Sequence, residues 1–162
     1  MEIAHNRNEL SPQGAQDLAE ILDRLLSDVQ VYHQNIRTLS WDQGLKPFLL
    51  LSSSLGQLDQ MVHNGENILA DQILSLGHTP TSQPSTLLYK TNIQPIEEVM
   101  GFDHAIMTLV SGSRQLLETI QDVFDKAVDL EEPHTMNLMS QVAKQVSWNI
   151  SFFTQMRLAQ WN

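Results

Sequence analysis

The sequence predicts an all-α fold, a bundle of four long helices with a long connection between the second and the third. Three observations predict it. Apolar residues recur at steps of three and four through four stretches of the 162-residue chain, the spacing that lines one face of a helix. Gly- and Pro-bearing breaks separate those stretches. No sustained period-two alternation flanks a hairpin dipeptide, so strand signals are missing.

The first ten residues read as a flexible arm, and residues 11–162 as a single domain. Ser11-Pro12 starts the first helix, with Ser11 as N-cap and Pro12 at the first helical position. Leu18, Ile21, Leu22, Leu25, Leu26, Val29, Tyr32, Ile36 and Leu39 form its apolar stripe. Trp41-Asp42-Gln43-Gly44 breaks the pattern, and Lys46-Pro47 restarts it.

A second helix is expected from Pro47 to Leu76, carrying Leu51, Leu55, Leu58, Val62, Leu69, Ile73 and Leu76. It closes at Gly77, which tolerates a left-handed backbone, and Pro80 prevents continuation. Residues 78–96 are rich in Thr, Ser and Pro and form a crossover with one short helix near Ser85–Lys90. A third helix is expected over Ile96–Leu130, with Val99, Ile106, Leu109, Leu116, Ile120, Val123 and Val128 inward. Glu131-Glu132-Pro133 is the next break. A fourth helix runs from His134 to Ala159, with Leu138, Val142, Val146, Ile150 and Phe153 inward. Four long helices and one long middle crossover describe a ferritin-like bundle.

Apolar residues at 41% and charged residues at 17% favour a packed globule over disorder. No apolar run approaches the roughly 20 residues that cross a bilayer, and Met1–Leu10 lacks a signal peptide's apolar core; a cytoplasmic protein is expected. Zero cysteines exclude disulfides, thiolate metal sites and cysteine nucleophiles. Nineteen acidic against nine basic residues give a net charge of −10. Arg7 is the sole cation before Arg24, and neither end carries a basic tail, so DNA is not an expected partner. No Gly-rich phosphate loop and no nucleophile elbow occur.

Three segments carry a resemblance to a known family. Tyr32-His33-Gln34-Asn35-Ile36-Arg37-Thr38-Leu39-Ser40-Trp41 looks like the end of the first helix of Dps proteins, the DNA-protecting miniferritins, whose text there is an aromatic followed by His-Trp-Asn. Ile73-Leu74-Ser75-Leu76-Gly77-His78-Thr79-Pro80 resembles the family's Leu-Gly-Gly-Thr-Pro closure of the second helix. Trp148 stands where Dps proteins often have a tryptophan. The spacing between these landmarks fits without gaps from Leu18 to Leu158.

The resemblance implies a two-fold dimer, a dodecameric homo-oligomeric shell, iron as the metal handled, and a role in storage or stress protection. It also implies an intersubunit iron-oxidising centre: two histidines and an aspartate from one subunit, an aspartate and a glutamate from its partner. Carried over from Trp41, or from Gly77, those five positions are Ser40, Ser52, Gly56, Asn67 and Asp71. Asp71 alone keeps a carboxylate. Serine hydroxyls, a glycine and a neutral amide do not supply the imidazole and carboxylate groups that hold iron(II) for oxidation. The usual oxidase activity is therefore expected to be absent or weak. Trp41, which stands beside that centre in the family, then reads as an anchor of the dimer interface.

A relocated metal site is the competing reading. Asp59, His63 and Asn67 follow one another at four-residue steps on the face that holds Gly56, with Glu66 close by, and His33 lies two turns before Ser40. Against it stands the plain reading of these groups as interface polar residues and local ion pairs. His5, His78, His104 and His134 read as surface residues, and Met100, Met107, Met136, Met139 and Met156 as core fillers. Asp129-Leu130-Glu131-Glu132 reads as a solvated helix end or the lining of an acidic pore. Three functions follow: a metal-sequestering shell, a bundle that has lost metal and serves structure or regulation, or a metal-oxidising enzyme with the relocated site. Iron or another divalent metal goes with the shell and with the enzyme, and no cofactor with the structural bundle.

Overall fold

The computed structural model describes residues 10–161. The arm expected at the N-terminus lies outside them, except Leu10, which is half-buried against the core. Five α-helices are described: α1 Pro12–Trp41, α2 Leu49–Ser75, the short α3 Pro84–Lys90, α4 Gly101–Asp129 and α5 Pro133–Gln160. A 3-10 turn, Gln43–Leu45, joins α1 to α2.

Helix starts follow from their caps. The Ser11 hydroxyl accepts the Gly14 amide at 3.0 Å, ahead of Pro12. The Glu132 carboxylate accepts the amides of His134 and Thr135 ahead of Pro133, which gives one member of the acidic run a capping role. Gly77 takes φ +81, and His78 N donates to Ile73 O at 3.2 Å, closing α2 as its sequence implied.

The third long helix begins at Gly101, five residues after the expected Ile96. Two features hold residues 96–100 out of the helix. The Ile96 amide donates to Asn35 Oδ1 of α1 at 2.8 Å. Gly101, at φ +83, turns the chain before the helix can form. His104 is drawn into this start, its Nδ1 accepting the Met100 amide at 3.3 Å.

Long-range contacts fix the topology. Tyr32 meets Ser113 and Asp28 meets Thr119, so α4 runs antiparallel to α1. Gln72 meets Thr135 where α2 ends and α5 begins, and Arg157 meets Asp103 at the other end. The helices thus run up, down, down, up, with the crossover climbing α1. Three polar residues of α1 hold it there. Asp23 accepts from Thr81 and Lys90, Asp28 accepts from Thr91 Oγ1 and the Asn92 amide, and Asn35 donates through Nδ2 to Gln94 O and accepts from the Ile96 amide.

The core matches most of the expected stripes. Leu18, Leu22, Leu25, Ile36, Leu39, Leu51, Leu55, Ile106, Leu109 and Val123 are buried. Val62 and Val142 are half-buried because they line a cavity of about 480 Å³ walled by α2 and α5 and by residues of α1 and α4 such as Tyr32 and Leu116. Val128, Met100 and Met107 are exposed rather than inward. Trp148 is also exposed, stacked on Phe152 with ring centroids 4.9 Å apart.

Candidate metal centre in the groove between α1 and α2

The five positions implied by the resemblance lie along α1 and α2. The Ser40 hydroxyl donates to Ile36 O at 2.9 Å, and the Ser52 hydroxyl to Leu45 O at 3.4 Å. Both serines thus serve the helix end and the turn. Gly56, Asn67 and Asp71 are exposed, and nothing stands within 4 Å of where a Gly56 Cβ would be. Trp41, Leu49 and Leu50 are exposed at 68%, 79% and 61%, an apolar surface where α1 ends and α2 begins.

Two turns further along the same groove, four ionisable side chains meet. Their places follow from register. Because α1 and α2 are antiparallel, stepping back seven residues from Ser40 and forward seven from Ser52 and Gly56 moves in one direction, by about 10 Å at 1.5 Å per residue. Those steps reach His33, Asp59 and His63.

His33 is the centre of the cluster and is only 5% exposed. Its Nε2 lies 2.9 Å from Asp59 Oδ1, and its Nδ1 lies 2.8 Å from Glu66 Oε1. Each ring nitrogen therefore faces a carboxylate oxygen. The second Glu66 oxygen lies 3.7 Å from His63 Nδ1. The His33 and His63 ring centroids are 6.1 Å apart. Arg37 Nε stands 3.6 Å from Asp59 Oδ1 on the far side, and Asn67 Nδ2 donates to His63 O at 3.2 Å.

The buried imidazole, the half-buried Glu66 and the exposed His63 form a set in which every residue offers one ligand atom within 4.8 Å of the others. The structure thus brings together His33, Asp59, His63 and Glu66 across two helices. It leaves Asp71 apart from them, exposed on the last turns of α2. The Asp23, Asp28 and Asn35 fastenings of the crossover went unread in the sequence. The signal for them was three polar residues breaking an apolar helix, at positions only the crossover explains.

Comparison with known proteins bears on the fold. No family model matches the chain. An uncharacterised protein of Haemophilus influenzae is 24% identical over 129 residues, 80% of this chain and 81% of its own. A Dps protein from Vibrio cholerae O1, described as a member of a broad superfamily of ferritin-like diiron-carboxylate proteins, superposes with a TM-score of 0.87. The two are 24% identical, over 96% of this chain and 98% of that one. Dps from Staphylococcus aureus gives 0.80 at 13% identity, over 87% and 95%. An archaeal Dps homologue from Halobacterium salinarum gives 0.81 at 16%, over 89% and 81%. The chain has the ferritin-like fold of the Dps miniferritins.

Proposed function

We propose that this chain, built on the Dps fold, is the subunit of a homo-oligomeric shell that sequesters iron or another divalent metal under stress, without the usual intersubunit oxidation centre. One observation carries the reading. Along a complete Dps-type α1–α2 pair, the matched ligand positions hold Ser40, Ser52, Gly56 and Asn67, and the two serine hydroxyls are committed to backbone carbonyls. Asp71 alone offers each half-site a single carboxylate, which leaves iron(II) mostly to water.

The assembly part of the proposal has its own support. Trp41, Leu49 and Leu50 make an exposed apolar surface beside those positions, where a two-fold partner would cover it. The net charge of −10 favours cations and disfavours DNA. Among the described residues no helix is long and apolar enough to cross a membrane, in keeping with action in the cytoplasm.

Native mass spectrometry followed by stopped-flow iron(II) oxidation tests both halves. A dodecamer that oxidises iron no faster than buffer is expected, and an isolated dimer would argue against the shell. A monomer removes the shell. Rapid oxidation that disappears in Asp71→Ala removes the loss of the centre.

A further inference from the structure

We propose that His33 Nδ1, His63 Nδ1 and the Glu66 carboxylate hold one divalent first-row cation, zinc(II) being the probe of choice, with Asp59 as the residue that positions His33. This site is complete within one chain. It takes no ligand from the intersubunit positions Ser40, Ser52, Gly56, Asn67 and Asp71, although Asn67 Nδ2 stands 3.5 Å from His63 Nε2, and it does not depend on the shell.

The donor set argues for the class of metal. Two imidazoles and one carboxylate are the mixed nitrogen and oxygen ligands that zinc and iron(II) accept, with coordination positions left for water. Calcium and magnesium ask for oxygen alone. The Glu66 carboxylate already stands between the rings, one oxygen 2.8 Å from His33 Nδ1 and the other 3.7 Å from His63 Nδ1.

The groups around the ligands argue further. A ligating histidine ordinarily gives its other ring N–H to a carboxylate, which sets the tautomer and aims the ring. His33 has that partner, its Nε2 lying 2.9 Å from Asp59 Oδ1. With Nε2 as the donor to Asp59, Nδ1 turns its lone pair toward Glu66 Oε1, 2.8 Å away, where a cation can bind both. His33 is held by burial. His63, whose side chain is 59% exposed, gives the site its opening to solvent and the freedom to swing inward. The ligand atoms within 4.8 Å of one another need that closure to reach metal bonds of roughly 2.0–2.2 Å.

Isothermal titration of the chelator-treated full chain with zinc(II), repeated with cobalt(II) and read by its d–d absorption, tests the site. One metal per chain is expected in the wild type. His63→Ala and Glu66→Gln should each weaken binding by about a hundredfold, and Asp59→Asn by roughly ten- to a hundredfold with stoichiometry kept. His63 is exposed, so H63A should unfold at the wild-type urea midpoint and separates a lost ligand from a lost fold. No binding by the wild type, or an affinity unchanged in H63A and E66Q, overturns the proposal. Binding is counted per chain in dimer and shell alike, so its failure leaves the assembly reading standing.

Discussion

The ring of Tyr32 on α1 lies against the backbone of Gly112 on α4, so close that a Cβ at 112 would stand 2.6 Å from Tyr32 Cδ2 and 2.7 Å from Cε2. The same tyrosine's hydroxyl lies 2.9 Å from Ser113 Oγ and donates to Leu109 O at 3.3 Å. A helix interior normally disfavours glycine; here the fit of the ring outweighs that preference. Gly112→Ala should therefore destabilise the bundle by about 1–3 kcal/mol, the cost of overpacking a filled core. A lowered urea midpoint with unchanged slope would show it, and a raised midpoint would refute the fit.

Burial pushes the Tyr32 phenol up to about 12, against the partial relief of its Ser113 hydrogen bond. The unfolded chain gives up this proton near 10, so stability is full below pH 10 and falls as pH rises toward 12. The wild type should lose roughly 3 kcal/mol over that window relative to Tyr32→Phe, which has no phenol to ionise. Parallel urea titrations at a series of alkaline pH values measure the difference.

Asp23 behaves in the opposite sense. Burial raises its carboxyl, but the Lys90 ammonium and the Thr81 hydroxyl and amide together outweigh that and hold it below the usual 3.8. Its contribution is present above the unfolded value and is lost as pH falls through the folded one. Asp23→Asn should cost about 2 kcal/mol at neutral pH, less than the roughly 3–5 of a fully buried pair, because the Lys90 side chain is 37% exposed. The gap between variant and wild type should close below pH 4.

Asp28 is the deepest of the crossover fastenings, with no exposure at all. It accepts from Thr119 Oγ1 at 2.6 Å, Thr91 Oγ1 at 2.8 Å and the Asn92 amide at 2.7 Å. Asp28→Ala should cost about 3 kcal/mol, since three donors lose their partner. Hydrogen exchange should quicken first at Asn92, while the α2 amides stay protected.

The proposed loss of the oxidation centre is reversible in principle. Replacing Ser40 and Ser52 by His, Gly56 and Asn67 by Asp, and Asp71 by Glu should install rapid iron(II) oxidation in the assembled protein. The Gly56 site has room for a side chain. Gly56→Ala alone should raise stability by about 1 kcal/mol, the helix preference of alanine over glycine. Oxidation at the wild-type rate in the five-fold variant would count against the proposed register.

Much of the fold was legible because helices are local. The stripe from Leu18 to Leu39, the Ser11-Pro12 start and the Gly77 stop are properties of residues a few positions apart. The α4 start at Gly101 was not legible, because the Ile96 amide is held by Asn35 of another helix. The candidate centre stood between these cases. Helical register put Asp59, His63 and Asn67 on one face and His33 two turns from Ser40, but left open whether they meet.

The sequence by itself determined the four helices, most of their buried stripes and the crossover. The 3.6-residue period and the chemistry of each side chain require no partner element. Only the tertiary structure decided that His33 is buried between Asp59 and Glu66, with His63 on the carboxylate's other oxygen. That arrangement depends on the antiparallel docking of α1 on α2, a relation between residues 26 and 33 positions apart. The contacts of the whole bundle set that relation, and the pattern of either helix alone does not contain it.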